Sequence, residues 1–396
     1  MAQIAILERK CTGCGLCREA CPFGAIDIKD GKPELNAACR VCGVCVKRCP
    51  EKAILRLETK VVSVDKSQWR DILVFAEVSG GRLHPVSLEL IGKAQELARS
   101  VPGFAVKAVL VGDGATDYAR ELQHYGVDEV AVYDDPALGY FRADVYATCV
   151  EDYIRAVRPS VVLVGATSLG RSLAPRLSTR FHTGLTADCT RLELRENTDL
   201  VQIRPAFGGN IMAQIVTTNT RPQFATVRYK VMNAPARQQK ETGEVKTRPL
   251  PKGALRSSVT LVGSQPVPAG KTISDAEILV VGGRGLQKES DLEMIRELAA
   301  LLGGDWAVSR PLVEKGWTTN ARQIGLSGRT VRPRLMITCG VSGAIQFSAC
   351  MNASEHIVAI NSDANAPIFE VAHVGIVGDL YQIVPDLIGR LKEGLG

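Results

Sequence analysis

Two cysteine runs constrain this chain more than any other feature. "CTGCGLCREACP" occupies residues 11–22 and "CRVCGVCVKRCP" residues 39–50, so eight of the twelve cysteines precede residue 50. Thiols crowded this closely either pair as disulfides or hold metal, and in an intracellular chain the second use dominates. The start, "MAQIAILERKC", is too short and too soon charged for a secretory signal. No apolar run approaches the roughly 18 residues of a membrane span. The cytoplasm is therefore the expected compartment. Cys149, Cys189, Cys339 and Cys350 are scattered and are expected to be ordinary buried thiols.

Both runs read C-x2-C-x2-C-x3-C-P, the spacing of two-cluster bacterial ferredoxins, in which the fourth cysteine ligates the other cluster. Three thiolates on a tight loop grip three corners of one cube, and the fourth, one helical turn on, reaches the second site. The spacing assigns Cys11, Cys14, Cys17 and Cys49 to one [4Fe–4S] cluster and Cys39, Cys42, Cys45 and Cys21 to the other. Gly13, Gly15 and Gly43 between the ligands let backbone N–H groups approach the sulfides. A pair of zinc sites is the other reading of C-x2-C pairs, but zinc takes four ligands and the third-to-fourth spacing does not suit it in both runs. "AIDIKDGKPEL" and "AILRLETK" supply short strands after each run. Residues 1–60 hold 11 basic and 7 acidic side chains, an excess of four positive charges. Two thiolate-bound cubes bring roughly −4, which leaves a loaded domain near neutral. With no basic block or aromatic–basic interleaving elsewhere, the formal net charge of +6 does not indicate nucleic acid.

From residue 71 the pattern changes. Apolar strands ("DILVFAE", "AVKAVLVG", "EVAVYDD", "PSVVLVGATS") alternate with helical segments ("PVSLELIGKAQELARSV", "TDYARELQHYG", "YFRADVYATCVEDYIRAV", "LGRSLAPRLSTRF"). Strands joined by helices imply a parallel, doubly wound sheet. A β-rich stretch runs to about residue 230, and the charged, proline-containing 233–253 reads as an exposed connection. A second α/β unit begins near residue 275, with strands in "AEILVVGG", "RLMITCG" and "EHIVAINSD". The expected organisation is a ferredoxin-like domain (1–62), a linker (63–70) and two Rossmann-like α/β domains (71–252 and 253–396). Two glycine-rich turns, "VGATSLG" (164–170) and "VGGRGL" (281–286), could hold phosphate. Neither is G-x-G-x-x-G. The second has more in its favour, because Arg284 adds a fixed positive charge at a helix start.

Residues 71–396 resemble the α subunit of electron transfer flavoproteins over their full length. "VFAE", "PVSLELIGKA", "HTGLTADC", "GGRGL", "QIGLSGRTV", "GVSGAIQ", "INSDANAPIF" and "GIVGDLYQIVP" match that family in order. The cluster-bearing extension resembles the α subunits of anaerobic, electron-bifurcating assemblies, that of caffeoyl-CoA reductase first and that of the lactate dehydrogenase complex next. The resemblance implies one FAD in the second α/β unit and none in the first, which would serve as a platform for a β subunit. It places Arg284 at the pyrophosphate or flavin edge, and Ser309 and Arg310 at the isoalloxazine, with Arg310 the cation near the reactive edge. Gln323, Ile324, Gly325, Ser327 and Gly328 would wrap the flavin and ribityl chain. Ser342, Gly343 and Gln346 would approach ribityl and phosphate, and Asn361, Asp363 and Asp379 the adenosine. The glycines could equally make turns, and Asp379 could cap the following helix. One departure stands out: the family pattern "GAIQH" is "GAIQF" here, and Phe347 cannot donate to the flavin as that histidine does.

The leading expectation is an electron-transfer subunit of a bifurcating complex. A partner β subunit with a second FAD would oxidise NADH. Electrons would pass to ferredoxin and to an acyl-CoA dehydrogenase-type partner acting on an enoyl-CoA such as caffeoyl-CoA. The alternative is a simple relay between a flavin dehydrogenase, such as lactate dehydrogenase, and ferredoxin. No paired acid–base constellation marks a substrate site in this chain, and its five histidines are dispersed.

Overall fold

The computed structural model describes residues 2–58, 63–206, 211–263, 265 and 272–394. The chain forms two compact units, Met1–Val64 and Asp65–Gly396.

In the first unit β1 (Ala2–Ile6) is followed by α1 (Leu16–Glu19), the hairpin β2 (Ile26–Lys29) and β3 (Lys32–Leu35), α2 (Val44–Arg48) and β4 (Ile54–Glu58). β1 pairs antiparallel with β4, which joins the two ends of this unit. The stretch after the first run forms its short strands as a hairpin, because Asp30 and Gly31 both take positive φ (51° and 73°) at its turn. The core is small: Ile4, Cys17, Ile26, Cys45 and Ile54.

Of the expected linker and its flank, residues 59–62 lie outside the described residues. Asp65 caps a short turn at Lys66–Gln68, and Lys66 pairs with the buried Asp199 at 2.7 Å. Residues from Asp65 onward are therefore held by the second unit.

The second unit contains two parallel sheets. The first is built from β5 (Ile72–Phe75), α3 (Pro85–Ala98), β8 (Val106–Gly112), α4 (Ala115–Gln123), β9 (Glu129–Asp134), α5 (Ala143–Val157), β10 (Val161–Gly165) and α6 (Ser168–Arg180), then β11 (Leu185–Cys189), β15 (Gln223–Val227) and β16 (Glu244–Thr247). A small hairpin, β6 (Val78–Ser79) and β7 (Arg82–Leu83), follows β5. β12 (Arg191–Leu194), β13 (Leu200–Ala206) and β14 (Ile211–Val216) form a separate antiparallel sheet. The seven-stranded order is β11-β15-β10-β5-β8-β9-β16. Helix α3 starts where the sequence says it should: Pro85 takes the first position and His84 Nδ1 accepts the Val86 N–H at 3.2 Å. Alternate faces of the sheet bury separate clusters, with Val74, Leu110 and Leu163 on one side and Phe75, Tyr133 and Val162 on the other.

One expectation is corrected here. Within the presumed connection 233–253, Glu244–Thr247 is an edge strand parallel to β9. Its charged residues face outward, and Lys246 pairs with Glu129 at 2.9 Å. An edge strand carrying charge is protected against further pairing, and that charge disguised it as a loop.

The second sheet comprises β17 (Ile278–Gly282), α7 (Leu292–Leu301), β18 (Asp305–Ser309), α8 (Arg310–Glu314), β19 (Gln323–Ile324), β20 (Leu335–Cys339), α9 (Ile345–Ser348), β21 (His356–Asn361), β22 (Val374–Val377) and α10 (Leu380–Gly394). Its order is β19-β18-β17-β20-β21-β22, all parallel. Counted from β17 this is 3-2-1-4-5-6, the doubly wound order of dinucleotide-binding sheets. The strand order reverses between β17 and β20. No helix among the described residues is long and apolar enough to cross a membrane.

Candidate cofactor sites

The cysteines of the first unit separate into two groups. Cys11, Cys14, Cys17 and Cys49 line one cavity. Cys21, Cys39, Cys42 and Cys45 line another. Each cavity thus takes three cysteines from one run and the fourth from the other. The local geometry repeats as well. Gly15 and Gly43 precede α1 and α2 with φ of 74° and 79°. The Ala25 N–H donates to Cys21 Sγ, and the Ala53 N–H to Cys49 Sγ, each at 3.3 Å. A Cβ on Gly13 would stand 2.5 Å from the Gly31 carbonyl oxygen, so only glycine fits that bend. Burial pushes the Cys17 and Cys45 thiols up, so without metal they are protonated at neutral pH. No three His, Cys, Asp or Glu side chains among the described residues converge as ligands of a single ion would.

In the second unit an open cavity lies at the carboxyl ends of the second sheet, over the β17/β20 switch point. Arg284 and Gly285 reach it after β17, Gly340 and Ser342 after β20, Asn361 and Asp363 after β21, and Asp379 after β22. Most of the wall comes from strand-to-helix turns, with Leu380 and Tyr381 at the start of α10, which is why residues far apart in sequence meet here. The floor is glycine packed on glycine. A Cβ on Gly283 would come 2.3 Å from the Gly340 oxygen, and one on Gly285 2.8 Å from the Gly340 Cα. Gly340 itself takes φ of 65°. Polar groups are held in place around this floor. Asn361 Nδ2 donates to the Val341 carbonyl at 2.9 Å, and Asp379 accepts the Tyr381 N–H at 2.9 Å, capping α10. Arg284 is exposed and forms no ion pair among the described residues.

Among the lining residues that escape sequence reasoning are Gln287, Ser362 and Tyr381. Tyr381 stands inside the quoted "GIVGDLYQIVP", and its hydroxyl donates to Asp291 at 2.5 Å and accepts the Gln287 N–H at 2.8 Å. Its partner lies ninety residues upstream, and no local signal shows that.

The other expected residues do not line this cavity. Ser309 is buried at the end of β18, and Arg310 opens α8, exposed and paired with Glu314 at 2.8 Å. Gln323 and Ile324 form β19, and Gln323 Nε2 donates to Ser327 Oγ at 2.8 Å. Gly325 (φ 144°) and Gly328 shape the loop that follows; a Cβ on Gly328 would meet the Gln323 oxygen at 2.4 Å. The Leu326 N–H donates to the Gln346 carbonyl at 3.0 Å, which joins this loop to α9. Gly343 (φ 82°) packs against the Ile368 backbone, and Phe347 is buried in the core beneath.

The other glycine-rich turn, 164–170, is closed. Thr167 caps α6 by accepting the Gly170 N–H, and it donates to Glu77 Oε2 at 2.5 Å. Glu77 is buried where the first sheet reverses direction, between β5 and β10. Burial pushes its carboxyl up, and the Thr167 hydroxyl opposes that. A carboxylate stands at the position that in the second sheet is left open.

Comparison with known proteins decides the assignment. The electron transfer flavoprotein domain matches residues 72–252, the electron transfer flavoprotein FAD-binding domain 272–352, and the 4Fe-4S dicluster domain 10–54. An electron transfer flavoprotein subunit alpha from Clostridium acetobutylicum is 42% identical over 83% of this chain and 99% of its own. The chain belongs to the electron transfer flavoprotein α-subunit family. Protein FixB from Azorhizobium caulinodans is 41% identical over 83% of this chain and 90% of that protein. The lactate dehydrogenase (NAD(+),ferredoxin) subunit LctC of Acetobacterium woodii is 53% identical over 374 residues, 94% of this chain and 89% of that one. That span exceeds the 332 residues from Asp65 to the end, so this similarity reaches into the cluster unit.

As a family member with these two domains, the chain is an electron-transfer subunit that carries FAD and two [4Fe–4S] clusters. The residues fit both groups. Two thiol-walled cavities suit two cubes, and a glycine floor with Arg284 above it suits a pyrophosphate.

Proposed function

We propose that this chain is the α subunit of a flavin-based electron-bifurcating complex. Of each electron pair taken from NADH at a partner β subunit with its own FAD, one goes to ferredoxin. The other passes through the FAD of this chain to a dehydrogenase partner. The observation that carries this reading is the presence of a dicluster unit and an FAD unit in one chain, with a 53% identical relative that spans both. That relative's name joins NAD, ferredoxin and lactate dehydrogenase, which favours a lactate-type dehydrogenase as the partner. An acyl-CoA dehydrogenase-type partner acting on an enoyl-CoA such as caffeoyl-CoA is the second reading.

Bound FAD supplies a group that accepts electrons in pairs and releases them singly. Arg284 and the backbone N–H groups after β17 would hold its pyrophosphate, and Asn361, Asp363 and Asp379 would face the adenosine. Ser309, Arg310 and the loop 323–328 would surround the ring, with Ser342, Gly343 and Gln346 along the ribityl chain. Phe347 is buried and has no donor, so Arg310 and backbone N–H groups are left to stabilise negative charge on the ring. Cys11, Cys14, Cys17 and Cys49 would ligate one cluster, and Cys39, Cys42, Cys45 and Cys21 the other. In domain terms, 1–62 holds the clusters, 71–252 serves as the platform for the β subunit and 253–396 holds FAD.

The test is coupling in the reconstituted complex. Ferredoxin should be reduced by NADH only while pyruvate or an enoyl-CoA is consumed, and which of the two works identifies the partner. Full-rate ferredoxin reduction without either acceptor would establish a simple relay instead.

A further inference from the structure

One motif builds both cluster sites, so their walls can be compared position by position. Cys11-Thr12-Gly13-Cys14 corresponds to Cys39-Arg40-Val41-Cys42, and Cys49-Pro50-Glu51 to Cys21-Pro22-Phe23. The crossed fourth ligand puts Thr12 and Glu51 in the wall of one cavity, and Arg40 and Phe23 in the wall of the other. The ligands and backbone repeat, but the mouths do not.

The first wall has Glu51 and no aromatic group, with the Lys32 ammonium on the Cys11 carbonyl at 3.0 Å. At the second, the Arg40 guanidinium stands 5.2 Å over the Phe23 ring, which is 41% exposed. Val44 is 40% exposed beside them, whereas its counterpart Leu16 is half-buried. Further along α2, Val46, Lys47 and Arg48 stand where the first run has Arg18, Glu19 and Ala20, and none of the three lines this cavity. No acidic residue occurs between Leu35 and Pro50. Cys42 is exposed at this site as its counterpart Cys14 is at the other, so ligand exposure does not separate the two.

We propose that the Arg40–Phe23 face is the docking surface for an acidic one-electron carrier of ferredoxin type. The cluster of Cys21, Cys39, Cys42 and Cys45 is then the one that exchanges electrons with it. The proposal rests on the reading above that this chain exchanges electrons with ferredoxin. An exposed aromatic ring under a guanidinium is the kind of group that anchors an interface centre. The Arg40 charge, with no acidic residue in the wall around it, steers an acidic partner and repels a basic one. The transfer moves one electron between a cluster of this chain and a cluster of the carrier, from the reduced to the oxidised. No bond forms and no proton moves.

The test measures binding of a small acidic two-[4Fe–4S] ferredoxin to the full-length, anaerobically loaded protein by calorimetry at low and high salt. Arg40→Glu should weaken binding by about tenfold or more at low salt and flatten its salt dependence. Phe23→Ser should weaken it with the salt dependence intact, and Thr12→Glu at the equivalent position should leave it within about twofold. Iron content and the EPR signals of both clusters should be unchanged in each variant. If Arg40→Glu loses iron, Arg40→Gln is judged by its salt slope, which must still fall. Unchanged binding by the Arg40 variants, or an equal loss in Thr12→Glu, overturns the docking surface alone. If the wild-type protein binds no ferredoxin, or only a second copy of itself through this face, both the surface and the ferredoxin reading fall.

Discussion

Arg228, at the end of β15 in the first sheet, donates its Nη2 to the carbonyl of Leu326 in the loop after β19, at 2.8 Å. Its Nη1 reaches Cys350 Sγ at 3.5 Å, and Asp188 lies 3.5 Å away. One largely buried guanidinium thus ties the platform sheet to the loop proposed to wrap the flavin. Arg228→Ala would leave the partly buried Leu326 carbonyl without this donor, at a cost of about 1 kcal/mol or more. We expect faster FAD loss on dilution and a lower melting temperature. Arg228→Lys should recover little, since an ammonium cannot fork to both acceptors. FAD retention equal to wild type in the Ala variant would show that the tie does not position the loop.

The glycine floor makes a sharper prediction. Gly283→Ala would force a methyl group to within 2.3 Å of the Gly340 oxygen, and Gly340→Ala would add strain at φ of 65°. Strain of this kind costs on the order of 1–3 kcal/mol. Both variants should be purified with little FAD while keeping their iron. Gly389→Ala, on α10 with open space at its Cβ, should bind FAD normally and serves as the control.

Eight irons per chain are expected on anaerobic purification, and Cys21→Ser should damage the cluster of Cys39, Cys42 and Cys45 rather than that of its own run. EPR of the reduced protein, compared with Cys49→Ser, reads this directly. Loss of the signal from the same-run cluster would show that the fourth ligands do not cross.

Glu89, buried on α3, accepts the Lys230 N–H with both oxygens at 3.2 and 3.0 Å. Burial pushes its carboxyl up to about 7, against the backbone N–H groups of Lys230 and Met232 and the charges of Lys230 and Arg332. Because the folded value lies above the unfolded one, its stabilisation is fully present below about pH 4.5 and is lost as pH rises through about 7. The change is worth roughly 3 kcal/mol. Glu89→Gln should therefore flatten the fall in stability between pH 5 and pH 8. A denaturant series at both pH values checks it, and an unchanged slope would locate the titration elsewhere.

Arg310 pairs with Glu314 at the surface, so part of its charge is already answered. Arg310→Ala should lower the potential of the bound flavin, because a cation favours the reduced anion. Glu314→Gln should raise it slightly. A spectroelectrochemical titration that found neither shift would remove Arg310 from the flavin edge.

The ease of reading differs between the parts for a physical reason. Cluster ligands sit at fixed short spacings, so "CTGCGLCREACP" announces them without reference to the rest of the fold. Core strands such as Val161–Gly165 are apolar on both faces, and their helices have clear starts such as His84-Pro85. Glu244–Thr247 was hidden because only Val245 among its four residues turns inward. The contribution of Gln287 and Tyr381 to the cavity was hidden because the 3-2-1-4-5-6 strand order, not local sequence, brings them together. Of the two glycine-rich turns, Arg284 favoured the second, but no local signal showed that the first was closed. That depended on Glu77, ninety residues before Thr167.

The first unit buries few apolar side chains besides Ile4, Ile26 and Ile54, and two of its buried core members are cysteines that face the cavities. A chain segment of 64 residues with so little interior is held together chiefly by its inorganic contents. Each cube would draw on both cysteine runs, so stripping either one loosens the whole unit rather than half of it. The seven- and six-stranded sheets, with cores of their own, owe nothing to iron. Exposure to oxygen would then prune the protein rather than destroy it, leaving a flavin carrier that has lost its inorganic terminal.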